Sequence, residues 1–275
     1  MRTSAELLAA YDAQLRTDAE TPSALTVVHH GPLRLVTFGG GRGFVTYADL
    51  GDADEAGIGQ LVHEALAYVR ADPQLRRVEW KTRGHDRAPG LHEALVRNGF
   101  APDEPESIML GEATGLLAEV ALPAGVTLRR VTEERDVRAM SAMSDRVFDD
   151  PVSDERADAL LHRLALDDRM QLWVAEAAGE MISAGRLEPV AGTEFAGIWG
   201  GSTLEAWRGR GIYRALTAVR ARAALGMGKT LIHSDSTAFS RPILERAGLV
   251  KVSTTTPYRW QAQALSSDSG SPVTR

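Results

Sequence analysis

Apolar positions along the chain change their period several times, and each change marks an element. Near the start, Leu7, Leu8, Tyr11 and Leu15 recur at helical spacing and predict a helix over 4–17. The stretches "LTVVHH", "LRLVTF" and "GFVTYADL" read as strands, and the glycine run at 39–43 as the hairpin turn between the last two. Ile58, Leu61, Val62, Ala65, Leu66 and Val69 share one face of a second helix. "RRVEWKT" is a strand, "APGLHEALVRNG" a short helix stopped by Gly99, and "ESIML" a strand. A polar, alanine-rich connector follows over 111–125 and ends at Pro123 and Gly125.

Beyond the connector the same order returns. "VTLRRV" is a strand, "EERDVRAMSAMSDRVF" and "DERADALLHRLAL" are helices, and "LWVAEA" with "MISAGRLEPV" is a hairpin. "FAGIWGGSTL" is a strand that runs into a helix with Ile212, Leu216, Val219 and Ala223 on one stripe. "KTLIHSD" is a strand, "SRPILERAG" a short helix with Pro242 in its first turn, and "LVKVST" and "PYRW" are closing strands. The letters repeat as well: "LVRNGF" at 95–100 matches "LERAGL" at 244–249. This pattern predicts an internal duplication. The expected domains are 1–115 and 126–262, each an α+β body with a mixed, mostly antiparallel sheet flanked by helices. The Ser/Gly-rich tail, 263–275, is expected to be disordered.

Composition sharpens this picture at three points. The chain of 275 residues carries a net charge of −6, so no global basic field points to nucleic acid. It has no cysteine, which removes disulfides, thiolate metal sites and cysteine nucleophiles. No apolar run is long enough to span a bilayer, and the N-terminus does not read as a signal peptide. The expectation is a cytoplasmic, bacterial protein with no metal, membrane or nucleic-acid partner, as a monomer or homodimer.

Against that acidic background, "WRGRGIYRAL" (207–216) stands out. Two glycines and three arginines crowd the start of an amphipathic helix. Gly209 and Gly211 let an anion approach the main chain, the helix N-terminus offers free N–H groups, and Arg208, Arg210 and Arg214 add charge. A phosphate or pyrophosphate is the ligand such a loop suits. It is not a Walker loop, since no Lys-Ser or Lys-Thr follows at the right spacing. It is not a dinucleotide fingerprint either, because Arg214 stands where the third glycine belongs.

This loop, followed by "SDSTAFSRPILERAGL", resembles the GNAT superfamily of N-acetyltransferases, whose signature is Q/R-x-x-G-x-G/A at the start of the central helix. Arg208 and Gly211 fill its first two fixed places, and Tyr213 stands where Gly or Ala is usual. The resemblance covers roughly 127–260. It implies acetyl-CoA as co-substrate and transfer of an acetyl group to a primary amine of a small molecule or peptide. It implies that the strand before the loop splays from "KTLIHSD". Main-chain groups of Ser202, Thr203 and Leu204 would hold the pantetheine arm, and Arg208, Gly209, Arg210, Gly211, Ile212, Tyr213 and Arg214 the pyrophosphate. Thr237 takes the place of the usual Asn, Ser240 that of a small residue, and Leu244 that of the usual acid, a Tyr.

The matching loop of the first half, "LGDADEAGIGQ", carries Asp52, Asp54 and Glu55, which repel a pyrophosphate. The first half therefore reads as a GNAT-like body whose donor site is lost. The general base and acid stay unassigned. Glu176, Glu188 and Glu194 are carboxylates on neighbouring strands, Tyr258 and Tyr213 are alternative proton donors, and His233 and Trp199 belong near the cleft. The missing acid keeps open a second reading, a non-catalytic acyl-CoA-binding or regulatory protein, and a third, a scaffold of two paired halves.

Overall fold

The computed structural model describes residues 2–262; the expected tail, 263–275, lies outside them. The chain forms two compact units.

One unit contains residues 2–23, 83–85 and 105–256. It opens with α1 (Ser4–Leu15), held by a capping box in which Thr3 accepts from the Glu6 amide and Glu6 accepts from that of Thr3. The other unit supplies β1 (Thr26–His30), β2 (Leu33–Phe38), β3 (Arg42–Tyr47), α2 (Glu55–Ala71), β4 (Arg77–Arg83, its last residue excepted), α3 (Leu91–Arg97) and the short β5 (Ala101–Pro102). The first unit resumes with β6 (Glu106–Glu112), β7 (Val126–Val131), α4 (Glu134–Val147), α5 (Asp154–Leu166), β8 (Gln171–Ala177), β9 (Glu180–Pro189) and β10 (Phe195–Thr203). It continues with α6 (Ile212–Gly226), β11 (Leu231–Ser236), α7 (Arg241–Ala247) and most of β12 (Val250–Gln261).

In that first unit the strand order is β12-β6-β11-β10-β9-β8-β7. Neighbours are antiparallel except β10 and β11, which are parallel and joined through α6. One face buries Ala196, Ile198 and Ile232 against Ala221 and Ala224 of α6 and Leu244 of α7. The opposite face buries Phe195 and Leu231 against Leu7 and Tyr11 of α1, and Leu172, Val174 and Ala184 against Val137, Met140 and Leu160 of α4 and α5. The second unit has the order β1-β2-β3-β4, with β3 and β4 parallel and joined through α2. Its core gathers Ile58, Val62 and Leu66 of α2 over Leu35, Val45 and Trp80.

Both units thus contain antiparallel strands, then a parallel crossover through an amphipathic helix, then a short helix. The ends of the two short helices agree atom for atom. The Phe100 amide donates to Leu95 O at 3.0 Å, and the Leu249 amide to Leu244 O at 3.0 Å. Gly99 at φ +87 and Gly248 at φ +109 make these reversals, and the leucines and the residues after the glycines are buried. That closure explains the matched letters of "LVRNGF" and "LERAGL".

Two features depart from the sequence expectations. β6, which precedes the connector, lies beside β11, and residues Pro257–Gln261 of β12 belong with the first-half strands. Each unit therefore includes a strand from across the connector, so the compact units interleave in sequence. A division at 111–126 would describe descent rather than compactness, and it remains a proposal. The expected strands "LVKVST" and "PYRW" are one strand. Val250–Thr255 pairs with β6 and Tyr258–Arg259 with β5, and Pro257 falls between these two ladders, where its missing N–H breaks neither.

Candidate active site

The site is built where β10 leaves its neighbour. Phe195–Gly197 pairs with Leu231–His233 of β11, and there the parallel ladder ends. β11 goes on with β6 and β10 with β9, so the two strands part between them. At the same level β10 bulges. Trp199 is opposite Arg186 and Ser202 opposite Ala184, so Gly200 and Gly201 together face the single residue Gly185. Gly200 takes φ +60, a conformation that favours glycine, and it is exposed.

Side chains close around the bulge on both faces of β10. Tyr213 of α6 lies on Gly201 so closely that a Cβ there would meet its Cε2 at 2.3 Å. The buried Arg220 fills the space beside Gly185, donating to Leu216 O at 3.0 Å and to Arg186 O at 3.2 Å. Its guanidinium lies 5.9 Å from the Tyr213 ring centroid, and burial lowers its pKa from the ordinary arginine value. The Arg186 side chain covers Gly200. Trp199 and His233 meet edge to face at 5.1 Å, with the indole folded over Gly197.

Beyond the bulge the chain turns into α6. Gly211 is the N-cap, at φ 80 and ψ −6, with no side-chain cap. The first four N–H groups of a helix have no partner within it, and none is supplied from outside by the described residues here. Gly209 has open space around it. Arg208 Nε donates to Thr203 O at 3.1 Å, Arg210 stacks on Trp207 at 5.0 Å, and Arg214 is exposed. The connector reaches this end, with Val120 Cγ1 3.0 Å from where a Gly211 Cβ would be.

The expected residues separate into three groups. Arg208 to Arg214 come together at the start of α6. Ser202, Thr203 and Leu204 lie between the bulge and that helix, but several of their polar groups are already engaged. Ser202 O accepts from Ser183, Thr203 O from Arg208, and the Leu204 amide donates to Ile182 O. The strand ladder skips Gly200 and Gly201, which sequence reasoning did not single out; the adjacent glycines of "WGGS" were the available signal. Thr237, exposed, and Ser240, half-buried, lie in the turn before α7 and touch each other at 3.3 Å. Leu244 is fully buried in the core against α6.

The candidate carboxylates are elsewhere or occupied. Glu176 of β8 accepts two hydrogen bonds from Arg129, which also binds Asp136. Glu194 precedes β10, at the end away from the bulge, and binds Arg2 and Gln14, which lower its pKa. Glu188 faces Gly197 across the ladder and pairs with Arg163 and Arg186. Tyr258 belongs to the second unit. Its hydroxyl meets His92 Nδ1 at 2.8 Å, and burial raises its pKa.

No protein-family model and no curated protein matches the chain. Solved structures do. A GCN5-related N-acetyltransferase from Kribbella flavida matches with a TM-score of 0.67 at 18% identity, over 96% of this chain and 98% of that one. A tandem GNAT protein from the clavulanic acid biosynthesis pathway matches at 0.61 and 14% identity, over 94% and 96%. A GCN5-related N-acetyltransferase from Sphaerobacter thermophilus matches at 0.60 and 17%, over 83% and 76%. The fold is that of the GCN5-related N-acetyltransferases. In this GNAT fold the parted strands, the bulge and the uncapped α6 fall within one unit. Among the described residues, no helix is long and apolar enough to cross a membrane, and no group of three or more His, Asp or Glu side chains could hold a metal ion.

Proposed function

We propose that the chain is an acyl-CoA-dependent N-acyltransferase, with acetyl-CoA as its donor and a primary amine as its acceptor. The observation that carries this reading is a bulged β10 that parts from β11 and runs directly into an uncapped, arginine-flanked helix N-terminus. The co-substrate supplies an acyl group activated as a thioester. Main-chain N–H groups of Gly209 to Arg214 suit its pyrophosphate, and Arg210 and Arg214 add charge-assisted bonds. The bulge at Gly200–Gly201 offers main-chain groups to an oxyanion beside the gap. Tyr213, whose ring lies on Gly201, is the phenol at the bulge and the better-placed tyrosine proton donor, since Tyr258 is engaged with His92.

The same reading makes the first half a duplicate that carries no donor site. Its β2–β3 register runs unbroken from Leu33–Tyr47 to Phe38–Arg42, and Asp54 caps α2 by accepting from the Gly57 amide at 2.9 Å. A carboxylate occupies the place a pyrophosphate would need.

The buried Leu244 and the paired state of Glu176 and Glu194 favour a second reading, a protein that binds acyl-CoA without turning it over. One assay separates them. The chain has no cysteine, so a thiol reagent reads only CoA released from acetyl-CoA. Amine-dependent thiol release is expected across a panel of small amines and peptides. CoA binding with no release for any amine would favour the second reading.

A further inference from the structure

One cation at the bulge is paired along one edge only. Arg186 projects from β9 on the face shared with Ala184 and Glu188, and its Cζ and Nη1 lie 3.8 Å from where a Gly200 Cβ would be. Its Nε is buried and lies 3.0 Å from Glu188 Oε1, but neither atom is aligned for a hydrogen bond. Glu188 is already bound by Arg163. Among the described residues, the terminal nitrogens of Arg186 make no hydrogen bond to protein, and 26% of the side chain stays accessible. Of the charges that bear on it, Glu188 is the anion and Arg163 the opposing cation. Behind Gly185, Arg220 adds a further buried guanidinium bonded to neutral oxygens. Two guanidiniums, Arg163 and Arg186, therefore share the one carboxylate Glu188 near the exposed, bulged main chain. A guanidinium with free terminal N–H groups favours a planar anion that takes two bonds at once.

We infer that Arg186 binds a carboxylate of the substrate at the β10 bulge, carried either by the amine acceptor or by a dicarboxylic acyl group. This rests on the acyltransferase reading. A purely structural Arg186 would need its fork satisfied by protein, and only its Nε edge meets Glu188. Fixing a carboxylate there would orient the rest of that substrate beside Gly200 and Gly201, so Arg186 is a specificity residue for the proposed reaction.

Calorimetric titration tests this on the full chain and on Arg186→Gln and Arg186→Lys. One arm compares succinyl-CoA with butyryl-CoA. The other compares glycine, β-alanine, 4-aminobutyrate and phenylalanine with their amides, with and without saturating CoA. In one arm the carboxylate probe should bind the wild type about tenfold or more tightly than its uncharged analogue, the worth of a hydrogen bond to a charged group. That advantage should vanish in Arg186→Gln and survive in part in Arg186→Lys, while the affinity for CoA alone is unchanged. The arm that responds tells acceptor from acyl group. If neither arm shows the preference, or if Arg186→Gln keeps it, the inference fails. If Arg186→Gln does not fold, Arg186→Lys decides, because a point charge replacing a fork should weaken the preference severalfold and an undiminished preference would overturn the role. CoA failing to bind the wild type would count against the donor site alone, since the amino acid comparison without CoA still judges Arg186.

Discussion

The starts of α2 and α6 solve the same physical problem in opposite ways. Each helix follows the first strand of a parallel crossover and begins with amides that have no partner in the helix. At α2, Asp54 caps the Gly57 amide, and Asp52 and Glu55 add negative charge. At α6, Gly211 turns the chain with no capping side chain, and arginines stand where α2 has carboxylates. A cap and a bound anion compete for the same N–H groups. A helix start can be capped by a side chain or left uncapped, and one fold shows each arrangement.

The comparison holds only if the two crossovers are equivalent in the rest of their packing, and the short-helix ends give the largest effect. Leu95 and Leu244 are both fully buried and both accept the closing bond of their turn. Leu95→Ala and Leu244→Ala should each cost about 2–5 kcal/mol. Urea unfolding checks this. A cost confined to one of them would break the equivalence.

The next effect separates the two helix starts by ligand. CoA at 100 times its dissociation constant should add about 2.7 kcal/mol of stability, roughly 5–11 °C in a chain of this class. Arg210→Glu combined with Arg214→Glu should remove the shift, because it reverses charge at the open end of α6 without touching a glycine turn. Thermal melts with and without CoA read it directly. A shift that survives both reversals would place the anion elsewhere.

Much of this architecture was legible because it is local. The helical stripes, Gly99 and Gly248 as stops, and the arginine–glycine start of α6 all depend on neighbours within a few residues. The non-local parts were not legible. Nothing in "ESIML" tells that β6 pairs with β11. Nothing in the letters of Glu176 or Glu194 shows that Arg129 and Arg2, distant in sequence, bind them. Nothing in the letters of Arg186 or Arg220 shows that they approach Gly200 and Gly185 at the bulge, where Arg220 is buried. Glycine also misleads in one direction. Gly211→Asp looks like a clean block of an anion site, but at φ +80 any side chain is strained there whether or not an anion binds.

A smaller effect tests the cap itself. Asp54→Ala should cost about 0.5–2 kcal/mol, since it orphans the Gly57 amide. The CoA shift of the protein should be unchanged, because the lost carboxylate belongs to the helix start proposed to bind no donor. A shift that grows on removing Asp54 would show that α2 retains a donor site masked by its cap.

The smallest effect is a difference of sign between two glycines. Gly211 has φ +80, and an added Cβ would come within 3.0 Å of Val120 Cγ1. Gly211→Ala should therefore cost about 1–2 kcal/mol, the steric penalty of a left-handed residue. Gly57 has no such φ, and its added Cβ would meet Asp54 Oδ1 at 3.4 Å, an ordinary contact. Its amide keeps donating to Asp54 whichever residue carries it. Gly57→Ala should stabilise by about 0.5–1 kcal/mol, because alanine loses less chain entropy in a helix. Paired chemical unfolding of the two variants measures both signs. If Gly211→Ala proved neutral, the start of α6 would not need its left-handed turn, and an ordinary residue could open the helix as Asp54 opens α2. The contrast between the two ends would then rest on charge alone.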